Sequence, residues 1–167
     1  MMRSRDFGTA PDGARLPWRI GGGGNLHLFS YYGVSKAWQC AARREQNEAL
    51  IELALSVAAG RGNDATLLAG DFNTPPDSSG GLSRALSTGT FWDLGAVDSE
   101  ARGMDEPAKT CFPKPTSAGS RIDLALSNGP LCSMLREFIV LAETAIPTHR
   151  PLLMMFDADG IRQQGKR

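Results

Sequence analysis

The first compact apolar and aromatic run in the chain is Leu26-His27-Leu28-Phe29-Ser30-Tyr31-Tyr32, stopped by Gly33, and it predicts a strand. From about Ser35 to Ala59 the pattern changes to three- and four-residue steps. Trp38, Ala42, Ala49, Leu53 and Val57 form the apolar side, with Arg43, Arg44, Glu45 and Glu48 elsewhere. That spacing predicts one long amphipathic helix, ended by Gly60 and Gly62. Ala65-Thr66-Leu67-Leu68-Ala69-Gly70 predicts a second short strand running straight into Asp71. A short helix is expected near Leu82 to Leu86, and Phe91-Trp92-Asp93-Leu94 reads as a strand or a turn. Thr110-Cys111-Phe112 opens a strand after a polar loop, and Arg121 to Leu126 alternates enough to form another. Glu137 to Leu141 and Pro151 to Phe156 give two more, the last so apolar that it is expected to be a central strand.

The ends lack this patterning. Residues 1–24 are rich in Arg, Gly and Pro and finish in four consecutive glycines, which predicts a linker or irregular segment. No Lys-Ser/Thr pair or GxGxxG spacing follows that would make the glycines a phosphate cradle. Residues 158–167 are expected to form a polar, frayed tail. Between them, one long helix followed by several strands points to a mixed α/β layered domain over residues 25–157.

Composition narrows the function classes. The chain has 167 residues, 41% hydrophobic and 22% charged, the profile of a globular domain with a real core. Lys+Arg and Asp+Glu are both 18, so no chain-wide basic footprint marks a nucleic-acid binder, although an acidic metal site beside phosphate-gripping loops remains compatible with that balance. No apolar run approaches the ~18 residues that span a bilayer. The start has no apolar stretch of a secretory signal, and an intracellular setting, nuclear or cytoplasmic, is expected. Cys40, Cys111 and Cys132 are odd in number and far apart, so neither a disulfide framework nor a zinc spacing can be read from them.

The chemistry concentrates just past the second strand. Asp71 and Asn73 lie two residues apart, so in an extended conformation both side chains point the same way. The carboxylate can bind a metal or take a proton, and the amide can hold a phosphate oxygen or a water. The same spacing also suits a simple turn in which Asp and Asn bond nearby backbone.

Gly70-Asp71-Phe72-Asn73 resembles the GDFN/GDLN signature of the endonuclease/exonuclease/phosphatase (DNase I-like) superfamily. Three further segments resemble that family in the same order: Leu28 to Gly33, Thr110-Cys111-Phe112 with Ser120-Arg121-Ile122-Asp123, and Thr148-His149-Arg150-Pro151-Leu152. Together they span residues 26 to 156, and the Thr110 region and the terse turn Asp-Phe-Asn-Thr-Pro-Pro look more like the endonucleases of non-LTR retrotransposons than like inositol phosphatases. The resemblance implies an α+β fold, the C-terminal portion of a four-layer α/β-sandwich. It implies Asp71 as acid or base and metal ligand at the scissile phosphate, and Asn73 as the group that orients phosphate or water. His149 would contact the phosphate and Asp123 would orient that histidine. Tyr32 would supply an active-site hydroxyl. The bland alternatives are a buried strand tyrosine for Tyr32, an Arg121 ion pair for Asp123 and a structural role for His149. Mg²⁺ or Mn²⁺ is the implied cofactor and DNA the implied partner. A phosphatase acting on a small phosphorylated substrate and a catalytically inactive binding remnant are the alternatives.

Two departures from the pattern stand out. Thr148 occupies the place where the family carries Asp before its closing histidine. In addition, only about 25 residues precede the Tyr32 strand, and no Glu occurs before Glu45, so the metal-ligating Glu and phosphate-binding Asn of the family's first half have no counterparts. The expectation is therefore a chain that lacks the N-terminal part of the domain, as a fragment, a mis-assigned start or a degenerate copy.

Overall fold

The computed structural model describes residues 18–19, 25–114, 116–142 and 146–157. A five-stranded sheet is built from β1 (Trp18–Arg19), β2 (Asn25–Tyr32), β3 (Ala65–Asp71), β4 (Trp92–Asp93) and β5 (Asp123–Ser127), in the order β1-β2-β3-β5-β4. β2 and β3 run parallel, while β5 is antiparallel to β3. The parallel step needs a crossover, and α1 (Ala41–Ala59) supplies it. The remaining elements are α2 (Gly80–Ser87), α3 (Leu94–Ala101), the single turn α4 (Gly129–Cys132), and an antiparallel ribbon of β6 (Leu135–Val140) and β7 (Leu152–Phe156).

Alternation along β2 and β3 creates two unlike faces. Phe29, Tyr31, Leu68, Leu124 and Leu126 meet Ile51, Leu55 and Ala58 of α1 and Leu82 and Ala85 of α2, with Phe72 and Phe91 closing the core. Phe72, Leu68, Leu82, Leu124 and Leu126 are 1% exposed or less, each contributing about 1.5–3 kcal/mol by burial. The opposite face, Leu26, Leu28, Ser30 and Tyr32 on β2, is half-buried to exposed.

The helix departs from its expected form in two ways. A 3₁₀ turn, Ala37–Gln39, comes first, and extended Cys40 (φ −151°, ψ 158°) separates it from α1, so the helix begins at Ala41 rather than Ser35. The buried side is Asn47, Ile51, Leu55 and Ala58, whereas Trp38, Ala42, Ala49, Leu53 and Val57 are all exposed. Apolar residues lie on both sides of this helix. The core apposes the branched Ile51 and Leu55 to Leu68 and Tyr31, and that packing rather than periodicity selects the face.

β7 is likewise not central. Its one partner among the described residues is β6, and its side chains alternate between half-buried and exposed, with Leu153 and Met155 pointing outward. The Thr110–Phe112 segment forms isolated bridges, Cys111 with Ser120 and Cys111 with His149, instead of a strand. α3 has no periodic apolar signature. It is started by Asp93, whose side chain accepts from Gly95 N and Ala96 N. Of the irregular segment expected over 1–24, Trp18 and Arg19 pair with Leu26 and Asn25 as β1. The rest of it, and the expected tail 158–167, lie outside the described residues. Among the described residues no helix is long and apolar enough to cross a membrane.

Candidate active site

The strand register itself assembles the site. Tyr32 lies opposite Asp71 in the β2–β3 pairing, and Asp71 lies opposite Asp123 in the β3–β5 pairing. Directly opposed residues on one face approach within about 5 Å at Cβ, so Tyr32, Asp71 and Asp123 form a row across three strand ends. Gly70 permits this register. A Cβ there would sit 1.9 Å from the Tyr31 carbonyl oxygen, and its φ of 153° is outside the range of L side chains.

His149 reaches the row from the segment before β7. Its Nδ1 lies 3.0 Å from both carboxylate oxygens of Asp123, which fixes the ring and leaves Nε2 facing the cleft. Asp123 is thus taken by His149, while Arg121 pairs with the buried Asp93, so the Arg121–Asp123 alternative does not hold. Thr110, the buried first residue of the Thr110-Cys111-Phe112 segment, holds this arrangement together. Its hydroxyl accepts from Ile122 N at 3.2 Å and Asp123 N at 3.0 Å, and its carbonyl accepts from Arg150 N at 2.8 Å. One short segment therefore ties the Asp123 strand to the His149 strand. Cys111, the next residue, places its Sγ 3.9 Å from His149 Nε2.

Asp71 and Asn73 combine both sequence readings. The backbone turns at Asn73 (φ 52°), so the two side chains are not the parallel pair of an extended strand. Asn73 N donates to Asp71 Oδ1 at 2.9 Å, the turn expected of such a pair, and Asn73 Nδ2 donates to Gly33 O at 3.2 Å. Both residues nevertheless line one cleft, with Tyr32, Lys36, Trp38, Arg44 and His149. Tyr32 is 69% exposed and its hydroxyl meets Ser35 Oγ at 3.0 Å, while the neighbouring Tyr31 is the buried strand tyrosine.

Behind the turn stands Asn47, a polar residue on the buried side of α1. It accepts from Val34 N at 2.8 Å and donates to Phe72 O at 2.9 Å, joining the end of β2 to the residue after Asp71. Sequence reading passed over it, and a lone Asn within a helix gives little signal except its place among Ile51 and Leu55.

Burial holds the Asp71 carboxyl above the ordinary carboxylate range. The Asn73 amide opposes this, Asp123 adds to it, and His149 opposes it. Burial likewise pushes the Cys111 thiol up, with Asp123 acting in the same direction. Asp71, Asp123 and His149 offer donor atoms that all lie within 4.8 Å of one another. A hard divalent ion takes one or two carboxylates and completes its shell with water and phosphate oxygens. The donor set fits that description, and Asp71 could serve as the carboxylate ligand, since Asp123 is engaged by His149. Thr148 is exposed, its carbonyl accepting from Phe112 N at 2.7 Å, and brings no carboxylate. Glu48 also lines the cleft, but its carboxylate is bound to Gly81 N at the start of α2.

No family model matches the chain, and no curated protein matches it by sequence. Solved structures do resemble it. The 3′ phosphatase NExo from Neisseria, bound to a product DNA hairpin, is 18% identical with a TM-score of 0.59, over 79% of this chain and 61% of that one. An AP endonuclease from Archaeoglobus fulgidus is 17% identical with a TM-score of 0.60, over 79% of this chain and 62% of that one. The catalytic domain of Xenopus laevis APE2 is 17% identical with a TM-score of 0.67, over 80% of this chain and 50% of that one. The chain spans between one half and 62% of the length of these structures. The likeness shows the fold, the mixed α/β architecture of DNase I-like proteins.

Proposed function

We propose that this chain is a metal-dependent phosphodiester hydrolase of the endonuclease/exonuclease/phosphatase superfamily, with DNA as its substrate. The observation that carries the reading is the row Tyr32–Asp71–Asp123 at three strand ends, with His149 clamped by Asp123 at its edge. It is supported by its structural neighbours, which include a 3′ phosphatase bound to a product DNA hairpin and an AP endonuclease. Kinship with retrotransposon endonucleases is its finer form, which a reverse-transcriptase frame beside the gene would support.

Each side chain has a role in such a reaction. Asp71 would hold Mg²⁺ or Mn²⁺, which when bound supplies charge neutralisation at the phosphate and the leaving oxygen. Where it does not hold the ion, Asp71, whose carboxyl burial keeps above the ordinary range, would take a proton from water instead. His149, anchored through Nδ1, would present Nε2 to a phosphate oxygen as charge develops there. Asn73 and Tyr32 present neutral polar groups to the same cleft, and Lys36 and Arg44 at its rim would grip the flanking phosphates. Trp38, 74% exposed at that rim, offers a face on which an unpaired base can stack. Phosphate gripping here is local, which reconciles a DNA substrate with a net charge of zero.

The test is nicking of supercoiled plasmid with and without Mg²⁺, beside an Asp71→Ala control. Mg²⁺-dependent nicking lost in Asp71→Ala is expected. Nicking that survives the substitution, or never appears, contradicts the reading.

A further inference from the structure

The cleft contains a group that hydrolysis does not use. Cys111 lies 38 residues from His149 in sequence, yet its Sγ stands 3.9 Å from Nε2 of that ring. Both residues line the cleft that contains Asp71. Zn²⁺ binds thiolate sulfur at about 2.3 Å and imidazole nitrogen at about 2.0–2.1 Å. Across a tetrahedral angle those lengths separate sulfur and nitrogen by about 3.6 Å, so the pair needs only a few tenths of an ångström to close on one ion. The ring is already set for ligation, because Asp123 holds Nδ1 at 3.0 Å and leaves Nε2 facing the Cys111 sulfur. A carboxylate on the far nitrogen is the usual support of a zinc-bound histidine. Asp71 lines the same cleft, but it clusters with Asp123 and His149 rather than with Cys111, so the sulfur and the imidazole are the protein ligands of such an ion and water completes its shell. Sulfur and imidazole favour a thiophilic ion over Mg²⁺, which prefers carboxylate and water.

We propose that Cys111 Sγ and His149 Nε2 form a second metal-binding mode of this cleft, selective for Zn²⁺ or a similar thiophilic divalent ion. Occupancy of this mode removes His149 Nε2 from the phosphate, so the ion inhibits the site. The inhibition, though not the binding, rests on the hydrolase reading above. Antiparallel bridges from Cys111 to Ser120 and His149 fix the thiol by backbone pairing, so the sulfur need not search for the ring.

The reduced full chain would be titrated with Co²⁺ as a spectroscopic substitute and then with Zn²⁺. A near-ultraviolet thiolate-to-cobalt charge-transfer band is expected, displaced by Zn²⁺. It should persist when Cys40 and Cys132 are both replaced by Ser and vanish in Cys111→Ser. In parallel, Zn²⁺ would be added to Mg²⁺-supported nicking. Relative to its own uninhibited rate, Cys111→Ser should need at least about tenfold more Zn²⁺ for half-inhibition. A band that survives Cys111→Ser, or no band at all, overturns the proposal, even where Asp71-dependent nicking is intact. A band lost with Cys111 in a chain that does not nick leaves the metal site standing and removes the hydrolase reading. Equal Zn²⁺ sensitivity in the two proteins overturns the inhibitory role.

Discussion

Replacing Asn47 by Ala tests how the site is held from behind. Asn47 is 2% exposed, and its amide serves two main-chain groups, Val34 N at 2.8 Å and Phe72 O at 2.9 Å. Truncation leaves both without that partner beneath α1, at about 1–3 kcal/mol for each orphaned group. Ala is the better helix former and returns at most about 0.7 kcal/mol. The orphaned groups dominate, and a net loss of about 2–4 kcal/mol is expected. In urea, with a slope of about 2 kcal/mol per molar, the unfolding midpoint should fall by about 1–2 M with the slope unchanged. Hydrogen exchange should quicken at Gly33 and Val34, because Gly33 N donates to Asp71 O at 2.7 Å in the same junction. A midpoint shift under about 0.3 M, or unchanged protection at those amides, would refute the view that Asn47 joins the two strand ends.

Other perturbations address the ion pair behind the site and the charge within it. Arg121→Met removes the partner of Asp93, which is 5% exposed but keeps Gly95 N and Ala96 N as donors. Those amides reduce the penalty of an unpaired buried charge to about 2–3 kcal/mol. The melting temperature should therefore drop by roughly 5–10 °C, and a drop under about 2 °C would show that the pair is dispensable. Asp71→Asn concerns pH. The folded pKa of Asp71 is raised above its unfolded value, so the folded state favours the protonated form. Its contribution to stability is present below the unfolded pKa and is lost as pH rises through the folded pKa. Asn has no such loss, so the melting temperature of the variant relative to wild type should rise from acidic to neutral pH, and a flat difference contradicts the burial argument.

Much of the fold was legible where one pattern dominated. The compact apolar and aromatic run of β2, the apolar run of β3 and the glycines after α1 place those elements nearly as observed. The site residues Asp71, Asp123 and His149 also fall together, because strand register carries two of them and a short bridge the third. What stayed hidden depends on contacts between distant segments. The buried face of α1 is set by Leu68 and Tyr31, not by its own spacing, and includes a polar residue. α3 is short and begins at a cap that a strand residue, Asp93, supplies. β7 reads as central from its apolarity, yet one neighbour pairs it among the described residues. Cys111 gave no metal spacing in sequence, since its nearest imidazole arrives from 38 residues away.

The most direct measurement of the site as one hydrolytic unit is single-turnover, Mg²⁺-supported DNA cleavage by wild type, Asp123→Asn, His149→Ala and the double variant. If Asp123 acts through His149, loss of the ring should cost about 10²-fold or more. Loss of Asp123 should cost less, and the double variant should match His149→Ala within about threefold. Losses that multiply, a His149→Ala variant that cleaves at the wild-type rate, or a wild type that does not cleave would contradict it.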